Sequence, residues 1–192
     1  AAQRVIALTV SPLGVSLADL DANGTQDIVT ANDFDDSVTV LLGNGNGTFG
    51  AARTFATGNA PGSTAIADYD DDGDLDLAVA NRLDNSVSIL LGNGNGTFGA
   101  QTTFVAGSGP VSIAANDLNR DGHQDLSLVA AFQGVAVVLL GKGDGTFQPL
   151  QSFGTGQNPN AIAVGKLNGD MLLDFVTANF LANNMGTFLF AP

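Results

Sequence analysis

The sequence predicts an all-β chain, a β-propeller built from four-stranded blades. Three observations carry the prediction: a fixed repeat, short apolar segments bounded by turn residues, and the way apolar side chains are shared between strand faces. Asp19, Asp68, Asp117 and Lys166 follow one another at 49-residue intervals, as do Pro12, Pro61, Pro110 and Pro159, and Phe49, Phe98 and Phe147. Copies in register without insertion are copies of one supersecondary unit. Residues 1–192 are therefore one repeat domain.

Within the second unit, STAIA (63–67) precedes an aspartate-rich loop and LDLAVAN (75–81) follows it. NSVSILLG (85–92) runs into NGNGTF (93–98), and AQTTFVAG (100–107) leads to Pro110. Val, Ile, Thr and Phe in short runs bounded by Gly, Asn and Pro read as strands, and no segment holds a helical period. SVSILLG and VAVVLLG (135–141) are largely apolar on both faces, as a sheet packed between two neighbours requires. The strand before each aspartate loop is small instead: SLA (16–18), AIA (65–67), AAN (114–116), AVG (163–165). Small side chains suit a strand crowded near a central axis. A two-sheet sandwich would prefer one polar face on each strand.

The ends bear on closure. RVIALTV (4–10) aligns with the outer strand RTFATGN (53–59), and NNMGTFLFAP (183–192) aligns with the third-strand segment NSVSILLGNG (85–94). The last blade is thus expected to lack its fourth strand and to receive it from the N-terminal segment, leaving no open edge. Pairing within one chain gives four blades, and pairing between two chains gives eight. The small inner strands and bulky VAVVLL (135–140) favour the four-bladed monomer.

Hydrophobic residues make up 44% of the chain and charged residues 13%, which excludes a disordered acidic tail. All 19 acidic residues are Asp, and most fall in 19–27, 68–76, 117–125 and 170–174, so the net charge of −13 is focused. Such a chain is repelled by nucleic-acid phosphates and anionic lipid, which leaves cations as the natural partners. The absence of cysteine excludes disulfides, zinc–thiolate sites and thiol nucleophiles. No apolar run is long enough for membrane insertion by a helix.

The first loop reads Asp19-x-Asp21-x-Asn23-Gly24-x-x-Asp27, the second Asp68-x-Asp70-x-Asp72-Gly73-x-x-Asp76, and the third Asp117-x-Asn119-x-Asp121-Gly122-x-x-Asp125. Oxygen ligands at positions 1, 3, 5 and 9 with Gly at 6 match a calcium loop. Thr25, Asp74 and His123 at position 7 would give a backbone carbonyl. An EF-hand needs Glu at position 12 and flanking helices, whereas Thr30, Val79 and Leu128 stand there inside predicted strands. Position 9 is therefore expected to supply the bidentate ligand. Metal-free Asx turns are the alternative, and three copies in register argue against it. The fourth copy, Lys166-x-Asn168-x-Asp170-Met171-x-x-Asp174, loses its first ligand and its glycine. That loop is expected to be empty, with the Lys166 ammonium pairing Asp170 and Asp174.

With these DxDxDG-x-x-D loops and the recurring LLGNGNGTFG (41–50, 90–99), the whole chain resembles the FG-GAP/VCBS repeat family, the integrin-α-like β-propellers. The resemblance implies that each calcium loop joins the innermost strand of a blade to its second strand. It also implies seven blades in the usual member, against four here.

GNGNGTFG reads as a hairpin turn rather than a phosphate cradle, because strands and not a helix follow it. His123 lacks a nucleophile or orienting partner in the sequence, and its side chain is expected to point outward. Tyr69 and the phenylalanines are expected to pack between blades or to cover the bases of loops. Asp33, Asp35, Asp36, Asp84 and Asp144 read as turn residues. A glycosidase needs two carboxyls in different environments, whereas Asp19, Asp68 and Asp117 are equivalent, so no catalytic residue is assigned. The expected function is a calcium-stabilised, non-enzymatic recognition or adhesion module with a protein or glycan ligand, acting as monomer or homodimer. An extracellular or cell-surface location follows from calcium affinities of about 0.1–1 mM for such sites. A lyase or hydrolase on a propeller scaffold, or a purely structural repeat domain, is the alternative.

Overall fold

The computed structural model describes residues 5–8 and 10–190. Among them there is no helix, and the strands form four antiparallel sheets, each a simple meander. The first contains β1 (Pro12–Ala18), β2 (Asp27–Asn32), β3 (Ser37–Leu41) and β4 (Arg53–Ala56). The second contains β5 (Pro61–Ala67), β6 (Asp76–Asn81), β7 (Ser86–Leu90) and β8 (Thr102–Val105). The third contains β9 (Pro110–Asn116), β10 (Asp125–Ala130), β11 (Val135–Leu139) and β12 (Gln151–Gly154). The last has three strands, β13 (Pro159–Gly165), β14 (Asp174–Asn179) and β15 (Asn184–Phe188).

Strand character follows the side chains. β6 and β10 are buried along their whole length, since both faces meet a neighbouring sheet. β4, β8 and β12 are outer strands, exposed except for one inward phenylalanine each, Phe55, Phe104 and Phe153. The recurring proline opens each inner strand at a register shift, as between Pro12 and Gly14 and between Pro61 and Ser63. A residue without an N–H is tolerated at such a bulge.

The core lies between the sheets rather than within one. Val29, Val38 and Val40 of the first sheet meet Leu77, Val79 and Leu90 of the second. Ala78, Val87 and Ile89 of the second meet Leu126, Leu128 and Leu139 of the third. Val129 and Val138 of the third meet Phe175 of the last. The aromatic residues bridge sheets as expected: Phe55 lies 5.3 Å edge-on to Phe98, and Tyr69 lies 6.0 Å from Phe147. Phe34, Phe132 and Phe180 depart from that expectation and are exposed.

Inner strands stand side by side, β1 next to β5, β5 next to β9 and β9 next to β13. Leu, Val and Phe side chains fill the three layers between successive sheets. Among the described residues the sheets do not close into a ring. Nor do residues 5–8 complete the last sheet: they are not in a strand, and they lie against the first sheet near Leu41, Phe49, Thr39 and Thr54. Arg4 and Thr9 of the expected closing strand lie outside the described residues.

Candidate metal centres

Each aspartate loop joins an inner strand to the second strand of its sheet: β1 to β2, β5 to β6, β9 to β10 and β13 to β14. The loops fold through their own carboxylates. Asp19 accepts hydrogen bonds from the N–H groups of Asn23 (3.0 Å) and Gly24 (2.7 Å), and Asp68 from those of Asp72 (3.2 Å) and Gly73 (2.9 Å). Asp117 accepts from Arg120 (2.7 Å) and Gly122 (3.1 Å). At position 5, Asn23, Asp72 and Asp121 each accept from the N–H two residues on, at Thr25, Asp74 and His123. Gly24, Gly73 and Gly122 have φ of 84°, 95° and 94°. A Cβ on any of them would meet open space, so glycine is needed there for its backbone and not for room.

Position 9 carries a role that the sequence reading missed. Asp27, Asp76, Asp125 and Asp174 are fully buried. One carboxylate oxygen accepts the N–H seven residues back, in Leu20, Tyr69, Leu118 and Leu167, at 2.7–2.9 Å. The other accepts the N–H sixteen residues on, in Gly43, Gly92, Gly141 and Phe190, at 2.7–3.0 Å. The aspartate clasps the loop to the end of the third strand. A Cβ on Gly92 would sit 2.3 Å from the Leu75 carbonyl oxygen, which explains the glycine that ends LLG. The 49-residue recurrence of both partners was the available signal. The clasp survives in the fourth loop, where Lys166 replaces the position 1 ligand.

Two loops gather three carboxylates each. One oxygen each of Asp19, Asp21 and Asp27 lie within 4.8 Å of one another, and so do one each of Asp68, Asp70 and Asp76. Asp21 Oδ1 and Asp70 Oδ1 are buried without a hydrogen-bond partner. A buried, unpaired carboxylate oxygen beside other carboxylates is costly unless a cation shares it. An all-oxygen donor set on a loop of this geometry suits a hard divalent ion such as calcium. Electrostatics agree. Burial, and the charges of Asp70 and Asp68, push Asp76 up to about 6 against the N–H bonds from Gly92 and Tyr69 that lower it. Burial and the Asp72 charge also raise Asp70.

In the third loop the Asn119 amide instead donates to Asp121 Oδ2 at 2.8 Å, so position 3 is already partnered. The N–H of His123 and the Asn119 amide hold Asp121 below the usual carboxylate range. His123 is half-exposed, and its Nδ1 lies 2.6 Å from Asp71 Oδ2 of the second loop, so it ties two blades instead of pointing free. The fourth loop has Met171 at φ 73°, where the other copies have glycine. Among the described residues Lys166 forms no ion pair with Asp170 or Asp174. Asp174 is satisfied by backbone N–H groups, and Asp170 by Asn168 and the N–H of Leu172.

The GNGNGTF segments and their third copy GKGDGTF (141–147) are turns, as their composition predicts: Gly43 bridges Phe49, Gly92 bridges Phe98 and Gly141 bridges Phe147. They also dock on the preceding blade, through Gly96 N–H to the Leu20 carbonyl (3.1 Å) and Gly145 N–H to the Tyr69 carbonyl (2.9 Å). Asp35, Asp36 and Asp84 accept backbone N–H groups in the turns at the opposite end, and Asp33 pairs with Arg82 across blades at 3.2 Å.

The sequence profile of the FG-GAP-like repeat matches residues 19–79 and again 68–128, more than half of the chain. The chain belongs to the FG-GAP-like repeat family. No curated protein matches it. Solved structures with the same β-propeller-like fold include virginiamycin B lyase from Staphylococcus aureus, at 19% identity and TM-score 0.62 over 92% of this chain and 51% of that one. A streptogramin B lyase matches at 17% identity and TM-score 0.60, over 94% and 55%. A lectin from Agrocybe aegerita, which recognises non-reducing terminal N-acetylglucosamine, matches at 26% identity and TM-score 0.58, over 88% and 49%. This FG-GAP-like chain thus spans about half the length of these structures. Among the described residues no helix is long and apolar enough to cross a membrane.

Proposed function

We propose that the chain is a calcium-stabilised, non-enzymatic recognition module that works outside the cell. The observation that carries the calcium reading is the pair of equivalent orphans, Asp21 Oδ1 and Asp70 Oδ1, each buried inside a cluster of carboxylates. Folding alone gives no reason to repeat that arrangement. The second loop binds most tightly, the first next, and the third only after Asn119 leaves Asp121. The fourth stays empty. Calcium at the millimolar level found outside cells would fill such sites, which supports an extracellular or cell-surface location.

The recognition reading rests on the opposite end of the blades. Phe34, Leu83, Phe132 and Leu181 occupy the same register position in the turns after β2, β6, β10 and β14, and all four are exposed. A row of bulky apolar side chains at one rim is a contact surface, since isolated exposure has no such period. The likeness to the N-acetylglucosamine-recognising lectin makes a glycan the first ligand class to test. The repeated acidic groups are engaged in the loops or turns, which supports a binding role over catalysis.

Titration calorimetry with calcium, followed by a glycan array with calcium and with EDTA, tests this reading. Heat from at least the first two loops is expected, together with glycan binding that Phe34→Ala and Phe132→Ala reduce severalfold. No calcium binding at millimolar concentration would reject the metal. Binding unaffected by both substitutions would reject the rim.

A further inference from the structure

Successive blades meet on one plan, and the junction of the second and third blades departs from it. At each junction the outer strand of one blade faces the glycine turn of the next. An edge-on aromatic pair forms the floor, Phe55 with Phe98 at 5.3 Å in one junction and Phe104 with Phe147 at 5.2 Å in the next. The fold accounts for that floor, since both copies have it. The walls differ.

Between the first and second blades the wall residues are polar and engaged. Arg53 of β4 crosses to the glycine turn, its Nη1 donating to the Asn95 carbonyl at 3.1 Å. The Asn93 amide folds back onto the Thr97 hydroxyl at 3.0 Å, and Gln101 turns inward to accept the Ser88 hydroxyl. Between the second and third blades the 49-residue frame puts Thr102 in the place of Arg53, Val105 in that of Ala56, Lys142 in that of Asn93 and Leu150 in that of Gln101. A threonine carries no group that could cross. What results is an open groove of about 380 Å³, walled by Val105, Leu139 and Leu150 over the aromatic floor. Val105 is 68% and Leu150 37% exposed. Among the described residues that line it, Lys142 alone is charged. The first blade, with Asn44 and Ala52 at the positions of Lys142 and Leu150, folds without these side chains, so the blade does not require them.

We propose that this groove is a further ligand site, made of neither aspartate-loop residues nor the rim of Phe34 and Leu181, and that it takes a small apolar monocarboxylate. Lys142 forms no ion pair among the described residues. The acid nearest to it in sequence, Asp144, is engaged elsewhere: hydrogen bonds from Thr146, and more weakly the Lys142 charge, hold it below the usual carboxylate range. One ammonium balances one negative charge. In a chain of net charge −13 a phosphate dianion would keep a charge uncompensated, and a neutral ligand would make no use of the lysine. The volume lies at the lower end for small-molecule sites, which suits an apolar body of about ten heavy atoms. A protein partner would engage about 20–30 residues, far more than one strand edge and one turn supply.

Octanoate is the probe, followed in the whole chain through the methyl NMR resonances of Val105 and Leu150. Saturable shifts centred on this groove are expected, with a dissociation constant of about 1 mM for a ligand of that size. Lys142→Asn and Leu150→Gln install residues that the second blade already carries, so both variants are expected to keep the fold. Lys142→Asn should weaken octanoate about fivefold or more and leave octanol unchanged. Leu150→Gln should weaken both, and octylammonium should bind less tightly than octanoate. The absence of saturable shifts well above the expected constant overturns the site. Unchanged octanoate affinity in Lys142→Asn, or octylammonium binding as tightly as octanoate, overturns the carboxylate. Shifts of equal size at the exposed Leu83 methyls would mean adsorption to apolar surface in general, and overturn the groove as a site.

Discussion

Asp70 and Asp76 share a loop and answer to different demands. Asp70 has a buried oxygen with no partner, so without a cation its charge works against the fold. Asp70→Ala is expected to lower the melting temperature in calcium and to leave it unchanged or higher in EDTA; an equal loss in both would remove the ion from the account. Asp76 is pushed up to about 6 from an ordinary value of 3.8, with burial the main cause. Between those values the folded chain holds a proton that the unfolded chain releases, so ionisation costs stability as pH rises. The calcium-free chain should therefore melt higher at about pH 5 than at about pH 7.5 on this group's account. Calcium binds the ionised form, so in its presence the order should reverse. Melting curves at both pH values, with calcium and with EDTA, check the sign. Met171 is a third case: it holds φ 73° without the freedom of glycine. Met171→Gly is expected to stabilise the chain by about 0.5–1 kcal/mol, read by urea titration.

At the scale of the element, the repeating device is the clasp between a loop and the end of the third strand. A buried carboxylate that accepts two backbone N–H groups leaves both donors unsatisfied when it is removed. Asp174→Ala tests the clasp where the expected metal ligands are incomplete. It is expected to cost about 3 kcal/mol, equally in calcium and in EDTA. A calcium-dependent loss at Asp174 would mean that the fourth loop binds an ion after all. The contrast with Asp70 separates two duties that one carboxylate motif combines. Position 9 folds the loop, and position 3 of the first two loops carries the buried oxygen without a partner.

At the scale of the molecule, the blades hold one another through apolar layers and through loops that cross between sheets. Loosening one loop therefore weakens two blades. If the two clustered loops bind calcium as proposed, each at tenfold saturation would contribute about 1.4 kcal/mol, about 3 kcal/mol together. That is a large part of a typical stability of about 5–15 kcal/mol. Chelation is expected to lower the melting temperature by several degrees, and a shift within error would make the ion peripheral. Much of this architecture was legible in the sequence. The interval that aligns Pro12 with Pro159 and Asp19 with Lys166 gave the blade and its strands, and the DxDxDG spacing gave the loops. Closure was not legible, because strand 4–10 matches an outer strand whichever blade it joins.

The sequence by itself determined the unit: four meandering strands, a carboxylate loop between the first two, and a glycine turn between the last two. These follow from local chemistry, since alternation, turn residues and oxygen spacing act within a few residues of one another. Only the tertiary structure decided how the units add. Side chains from two blades interlock, as Val38 and Val40 do with Leu77 and Leu90, and no single repeat specifies that layer. Among the described residues the first and last sheets stay apart, with Val15 and Met185 exposed on them. The same layer of contacts, and not the loop spacing, decided that Asp76 is buried against two N–H groups while one buried oxygen of Asp70 is left without a partner.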